Sequence, residues 1–186
     1  MRAFIAVHLN EEIRRAISQA AGELKPLAQS AKWVPPENCH LTLKFLGEID
    51  PNDVERVNAA MKTVLAGVSR WQISVRGMGA FPEKGLPRVI WVGVDDPPGI
   101  LVRIASGLNE GLSDLAPKER REFVPHVTIA RLRDPDPIGA KRLRLELEKR
   151  AALSFGSQDV AALHLMESRL TPAGPIYSEL IRVQIL

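Results

Sequence analysis

The chain has 186 residues, of which 45% are hydrophobic and 25% are charged, and its formal net charge is +3. This composition is typical of a globular protein and excludes the disordered, collagen-like and membrane-spanning classes. A single cysteine, Cys39, excludes an internal disulfide and any multi-cysteine zinc or iron–sulfur site. The N-terminal apolar run is too short for a signal peptide, so we expect a cytoplasmic protein with no membrane contact.

The balance of charges and aromatic residues narrows the possible partners. A net charge of +3 permits contact with an anionic partner but is too small for a protein that coats nucleic acid. Aromatic residues make up 5% of the chain, which is too few for an extended base-stacking platform.

Hydrophobic periodicity predicts alternating strands and helices in the first half of the chain. In chain order these are a strand at 1–9, a helix capped by Asn10, an extended proline segment at 33–36, a strand from His40 to Gly47, a helix that begins near Pro51 and a strand that begins at Trp71. The acidic residues Glu11 and Glu12 suit the positive end of the first helix.

The second half repeats this order. It contains a strand at 88–94, a helix that begins at Pro97, a strand that begins at His126, a helix after the turn at 134–137, and strands near 160–165 and 177–185. The repeat predicts a single α+β domain over 1–186, with two pseudo-symmetric lobes of antiparallel sheet, at about 1–86 and 87–186, around a central cleft. Alternating helices and short strands also fit a doubly wound parallel sheet, which stays open as the alternative fold.

Two H-x-T motifs, one in each half, carry the chemistry. Side chains two residues apart in a strand point the same way, so His40 shares a face with Thr42, and His126 shares one with Thr128. Together the motifs supply a base, an acid and neutral donors for phosphoryl oxygens, which phosphodiester cleavage requires. Since histidine titrates near neutrality, one ring can be neutral while the other is protonated. The motifs therefore predict acid–base catalysis that needs no metal or other cofactor, and metal binding stays open as an unsupported alternative.

Phe45 and Arg131 each lie five residues after a motif histidine. An arginine can bind phosphate in bidentate fashion, and a phenylalanine can stack on a base. Both have the opposite strand parity to the histidines, so they reach the cleft only where the strand ends or bulges before them. Otherwise Phe45 lies in a core and Arg131 lies in a surface pair.

The remaining histidines and the cysteine are interpreted as structural. His8 shares its strand face with Phe4, and His164 lies between two leucines. Cys39 precedes His40, and neighbours in a strand point apart, which excludes a Cys–His catalytic pair. A small buried residue is the expected role of Cys39.

Six segments between Arg2 and Leu180 form an ordered set: RAFIAV, KWVPPENCHLTLKFLGE, GMGAFP, PRVIWVGV, FVPHVTIARLR and LMESRLTPAGPIYSEL. Together they resemble the signature segments of the 2H phosphoesterase superfamily, and most closely its bacterial and archaeal RNA 2′,3′-cyclic phosphodiesterases, historically called 2′-5′ RNA ligases. The resemblance implies a bilobal α+β fold. It also implies metal-free hydrolysis of a 2′,3′-cyclic phosphate, on an RNA end or a small nucleotide, to a 2′-phosphomonoester.

The resemblance also assigns roles that the near-symmetry of the two motifs leaves open. It implies that His40 protonates the leaving 3′ oxygen, that His126 activates the attacking water, and that Thr42 and Thr128 hold the phosphoryl oxygens. Three further residues lie in family-like segments and are expected to contact nucleotide or phosphate, although core or rim packing fits them equally: Arg88, Trp91 and Tyr177.

Two alternative functions stay open at this point. One is an RNA ligase that forms 2′-5′ bonds by related chemistry in reverse, and the other is an RNA-end-binding module without turnover. No obligate protein partner is expected in any of the three cases.

Overall fold

The computed structural model describes residues 1–133, 135–172 and 174–186; Asp134, from the predicted turn before the last helix, lies outside them. The strands are β1 (Arg2–His8), β2 (Lys32–Trp33), β3 (His40–Glu48), β4 (Trp71–Phe81), β5 (Val89–Asp95), β6 (His126–Arg131), β7 (Ser154–Val160), β8 (Ala162–Thr171) and β9 (Gly174–Gln184). The helices are α1 (Glu11–Leu24), α2 (Val54–Leu65), α3 (Ile100–Gly111) and α4 (Pro137–Glu148). In the described ranges, no helix has the length and apolar character needed to cross a membrane.

Local hydrogen bonds and turns determine where helices α1 and α3 begin. The Asn10 side chain accepts a hydrogen bond from the Ile13 N–H at 2.9 Å, which confirms the predicted start of α1. Helix α3 begins later than its prolines predict, at Ile100. Gly99 closes a turn ahead of the helix and adopts a left-handed conformation (φ 69°). Glycine adopts this conformation without the steric strain that a Cβ atom causes in other residues.

The strands form one antiparallel sheet. Its order is β7-β4-β5-β6-β3-β1-β8-β9, and β2 pairs with β6. Every strand pairing among the described residues is antiparallel, so the α+β prediction is confirmed and the doubly wound parallel alternative is wrong.

The two halves of the sheet exchange strands. The first lobe consists of β3, β1, β8 and β9, and the second lobe consists of β6, β5, β4 and β7. Strand β4 of the first half pairs with β5 in the second lobe, and strand β8 of the second half pairs with β1 in the first lobe and carries β9 with it. The lobes therefore do not coincide with the contiguous ranges 1–86 and 87–186. Periodicity locates strands along the chain, but it does not select their pairing partners.

The C-terminal strands also differ from their predicted positions. The single strand expected near 160–165 is two strands, β7 and β8, separated at Ala161. The β7 sequence is largely polar because the strand lies at an edge of the sheet, and it therefore lacks the apolar alternation that marks a half-buried strand.

The core lies between the helices and one face of the sheet. It includes Ile5, Leu41, Ile90 and Val127, each with no exposed surface, packed with apolar residues of all four helices named above. The opposite face of the sheet lines the cleft and carries a small separate apolar cluster of Phe4, Ala6 and Met166, flanked by Tyr177. The histidine and threonine side chains of the two H-x-T motifs lie on this second face.

Candidate active site

The two H-x-T motifs meet where the lobes join. Strands β3 and β6 pair at a single position, Leu41 opposite Val127. Both of these side chains are buried in the core, so the histidine and threonine on either side of each point to the cleft. The antiparallel register around this pair sets each motif histidine opposite the threonine of the other motif.

Each motif histidine is oriented by the same hydrogen bond. Nδ1 of His40 lies 2.7 Å from the Asn38 carbonyl oxygen, and Nδ1 of His126 lies 2.7 Å from the Val124 carbonyl oxygen. A carbonyl only accepts, so Nδ1–H is the donor in both rings. Nε2 of each ring is thus left to accept or donate a proton in the cleft.

His40 is packed between aromatic rings. Its ring stacks on Phe4 with centroids 4.7 Å apart, and Tyr177 meets it edge-on at 5.3 Å. Burial lowers the pKa of His40 below 6.5, and the hydrogen bond with the Asn38 carbonyl partly opposes that effect. The free protein therefore favours the neutral His40 ring at pH 7.

His126 also contacts an aromatic side chain. The ring of Phe81 meets it edge-on at 5.2 Å and lies 5.3 Å from the ring of Trp91. Trp91 pairs with Thr128 across β5 and β6, which places it on the cleft face. A Cβ atom at Gly79 would lie 2.3 Å from the Trp91 ring, so only glycine leaves room for the indole there. The sequence motifs did not predict this contact of Phe81 with His126.

Matching bulges bring two further residues to the cleft face. The unpaired residue is Leu43 in β3 and Ile129 in β6, each three residues after a motif histidine. One extra residue reverses strand parity. Phe45 and Arg131 therefore point to the same face as the motif histidines. On sequence grounds this requires a bulge or a strand end before each residue, and the structure has the bulge in both strands.

Phe45 and Arg131 stay open to solvent on that face. Phe45 is 52% exposed, and its ring lies 6.3 Å from that of Phe4. Burial raises the pKa of Tyr177, and the positive charge of Arg131 on the other lobe opposes that rise. Arg131 thus lies within electrostatic reach of Tyr177 across the cleft. Phosphate and nucleotide contacts of these side chains stay predictions.

Among the residues that the structure describes, no bulge turns Arg88 towards the motif histidines as the bulges do for Phe45 and Arg131. It precedes β5, and its guanidinium donates a hydrogen bond to the main-chain carbonyl of Arg133. This contact gives Arg88 a structural partner at the end of the β5–β6 pair. A contact between Arg88 and nucleotide stays a prediction.

Three residues are interpreted as structural from the sequence. Cys39 fits that role, whereas His8 and His164 lie on the cleft face of the sheet. Cys39 is buried, and burial raises the pKa of its thiol to about 11, so the thiol is unreactive. His8 pairs with His40 in the β1–β3 register, and His164 pairs with Ala6 in the β1–β8 register. Both histidines therefore face the cleft, because β1 presents its even-numbered side chains there.

Lys44 is a buried cation that sequence reasoning missed. It is 1% exposed, and its Nζ donates hydrogen bonds of 2.8 Å to the Asn109 side-chain oxygen and the Pro117 carbonyl. The bulge at Leu43 turns it to the core face. Because Pro117 begins the segment that leads to His126, Lys44 anchors the approach to the second motif. The position of this lysine inside the apolar run HLTLKFLG is the sequence feature that could have indicated a buried cation.

We expect Lys44→Met to lower the free energy of unfolding by about 2 kcal/mol, because it removes two charge-assisted hydrogen bonds from a buried site. Denaturant unfolding followed by circular dichroism measures the change. The matched control is Lys62→Met on the exposed side of α2, which should change stability by less than about 0.5 kcal/mol. Equal effects of the two substitutions would contradict a role for the Lys44 contacts.

Comparison with known proteins places this geometry in a family. The family model for LigT like Phosphoesterase matches the chain twice, over residues 7–91 and 92–177. The chain belongs to this family. Each match contains one H-x-T motif of this LigT-like phosphoesterase, in agreement with the repeat in its sequence.

Curated relatives cover nearly the whole chain. A protein of Archaeoglobus fulgidus is 37% identical over 97% of this chain and 98% of its own length. A protein of Methanocaldococcus jannaschii is 36% identical over 95% of this chain and 96% of its own length. Both are named RNA 2′,3′-cyclic phosphodiesterase.

Solved structures share the bilobal fold. The protein TT0787 of Thermus thermophilus superposes with a TM-score of 0.82 at 31% identity, covering 100% of this chain and 98% of its own. E. coli LigT complexed with 3′-AMP superposes with a TM-score of 0.72 at 24% identity, covering 99% and 97% of the two chains. At that identity the second comparison supports the fold alone.

Proposed function

We propose that this LigT-like phosphoesterase hydrolyses 2′,3′-cyclic phosphates, on RNA ends or small nucleotides, to 2′-phosphomonoesters. The observation that carries the proposal is the meeting of two H-x-T motifs at the Leu41–Val127 pair, which surrounds one space with two imidazoles and two hydroxyls. The shared name of the curated relatives supports the class of substrate. A role in cytoplasmic RNA processing is part of this proposal.

The proposed reaction uses the free Nε2 atom of each histidine. Neutral His126 accepts a proton from water as the water oxygen bonds to phosphorus, and the bond from phosphorus to the 3′ oxygen breaks. Protonated His40 gives its proton to that leaving oxygen, and solvent then resets both rings. The family resemblance, rather than the near-symmetric geometry, distinguishes the donor from the acceptor. No step requires a metal or another cofactor.

The neighbouring side chains fit a short phosphate-bearing end. The hydroxyls of Thr42 and Thr128 donate to the phosphoryl oxygens, and Arg131 balances the charge that builds up on them. Phe45 and Tyr177 offer aromatic surface to the nucleoside on the first lobe. An RNA end is the proposed partner, and the reaction requires no second protein.

The pKa of His40 makes a prediction for the pH profile. In a bell-shaped profile of kcat/KM, the low-pH limb follows the catalytic group that has the lower pKa. This holds whether that group is the proton donor or the proton acceptor in the reaction. Because burial holds the pKa of His40 below 6.5, we expect this limb below pH 6.5. Phe4→Leu opens His40 to water and raises its pKa, so the limb should move to higher pH.

Phe81→Leu is the matched control for this profile, since Phe81 contacts His126 instead. It should leave the limb that His40 governs in place. Initial rates between pH 4 and 9 at low substrate concentration measure both variants. An acid limb that does not move in Phe4→Leu, or that moves equally in both, would contradict this assignment.

A competition experiment tests the proposed function against the ligase and the binding module. An end-labelled oligonucleotide with a 2′,3′-cyclic phosphate is incubated with the protein, with and without an oligonucleotide that has a 5′-hydroxyl. We expect hydrolysis at the same rate in both cases. Ligation as the main reaction, or retention of the labelled strand without product, would overturn the proposal.

A further inference from the structure

A second group of polar side chains lies on the cleft face of the first lobe, next to the first motif, since His8 pairs with His40 in the β1–β3 register. It consists of His8 at the end of β1, His164 in β8 and Glu179 in β9. Their ligand atoms, one imidazole nitrogen from each histidine and one carboxylate oxygen, lie within 4.8 Å of one another. The proposed hydrolysis uses none of the three residues.

The contacts within this group are close. The rings of His8 and His164 stack with centroids 3.8 Å apart and planes 13° apart. Nδ1 of His164 lies 2.5 Å from the Glu179 carboxylate, which accepts its proton. A proton shared between an imidazole and a carboxylate occupies the kind of position that a divalent cation takes when it replaces the proton.

Burial and access differ within the group. His164 is 7% exposed and, with Lys44, is one of two buried polar or charged residues in the part of the chain that the structure describes. His8 and Glu179 are exposed to the cleft. His164 is therefore held in a fixed position within the sheet, whereas the side chains of His8 and Glu179 can adjust. An ion can reach all three from solvent.

We propose that His8, His164 and Glu179 bind a zinc ion. Two imidazole nitrogens and one carboxylate oxygen form a donor set that zinc accepts with a fourth, open position. Bond lengths of about 2.0–2.2 Å require the three donor atoms to lie about 3.3 Å apart, so they contract slightly around the ion. The ion displaces the Nδ1 proton of His164 to solvent, and the exposed His8 ring turns out of the stack to direct a nitrogen at it.

This zinc site adjoins His40 through His8, but it shares no residue with the proposed hydrolysis. It lies within the first lobe, whereas the reacting space lies between the lobes at the Leu41–Val127 pair. The open position of the ion faces the cleft, where it takes water or an anionic oxygen. Because zinc binding is measured directly, its failure would leave the proposed function intact, and failure of hydrolysis would leave the zinc site intact.

Calorimetric titration of the chelator-treated 186-residue chain with zinc chloride tests the proposal. We expect one ion per chain, with affinity at least about tenfold weaker in His8→Ala, His164→Ala and Glu179→Gln. The control is His126→Ala, which removes an imidazole from the other lobe and should keep the affinity. Titration with cobalt chloride should give the visible absorption of a four-coordinate ion in the same pattern of variants.

His164 is buried, so circular dichroism first checks the fold of His164→Ala. If that variant does not fold, the exposed positions His8 and Glu179 carry the test. Unchanged zinc affinity in His8→Ala and Glu179→Gln, loss of affinity in His126→Ala, or no zinc bound by the unsubstituted chain would each overturn the proposal.

Discussion

Replacing either His40 or His126 with alanine is expected to lower kcat by about 10²–10⁴-fold, the usual contribution of a general acid or base. Each imidazole is oriented by its own Nδ1 bond to a main-chain carbonyl, and neither ring is placed to take over the Nε2 role of the other. Single-turnover rates on an oligonucleotide with a 2′,3′-cyclic phosphate measure the loss. A variant that keeps full activity would contradict two-histidine catalysis.

A sulfur-substituted substrate separates the roles of the two histidines. When the 3′ oxygen is replaced by sulfur, the leaving group is a weaker base and departs without a proton donor. His40→Ala should then recover most of its lost rate, whereas His126→Ala should not. The opposite pattern would exchange the assigned acid and base. Thermal unfolding checks that both variants keep the fold.

The second large effect is expected at the motif threonines. Thr42→Val and Thr128→Val keep the branched shape but remove the hydroxyl, and each should lower kcat by about 10²-fold, as loss of a donor to a developing phosphoryl charge does. Thr→Ser at either position retains the hydroxyl and is the matched control. Valine variants with rates close to that of the unsubstituted protein would contradict phosphoryl binding by these hydroxyls.

Much of the fold could be predicted because local signals determine it. The side chain of Asn10 and the acidic residues after it set the start of α1, and the apolar alternation around His40 and His126 marks both motif strands. The repeat of the whole pattern predicted two lobes around a cleft. These features depend on neighbouring residues and do not require knowledge of which strands pair.

The remaining features depend on contacts between distant parts of the chain. The crossing of β4 and β8 between lobes leaves no mark on hydrophobic periodicity. The bulge at Leu43 turns Phe45 to the cleft and Lys44 to the core, and only the register with β1 reveals it. His8 and His164 came together for the same reason, since their strands are adjacent in the sheet but far apart in sequence.

The central claim is that two histidines hydrolyse a 2′,3′-cyclic phosphate to a 2′-phosphomonoester without a metal. Phosphorus NMR tests it directly on a cyclic-phosphate oligonucleotide incubated in ¹⁸O-labelled water and EDTA. The account predicts a 2′-phosphate that carries one ¹⁸O atom, formed as fast with EDTA as without it, and absent with His40→Ala or His126→Ala over the same time. A 3′-phosphate, or loss of turnover in EDTA, would contradict it.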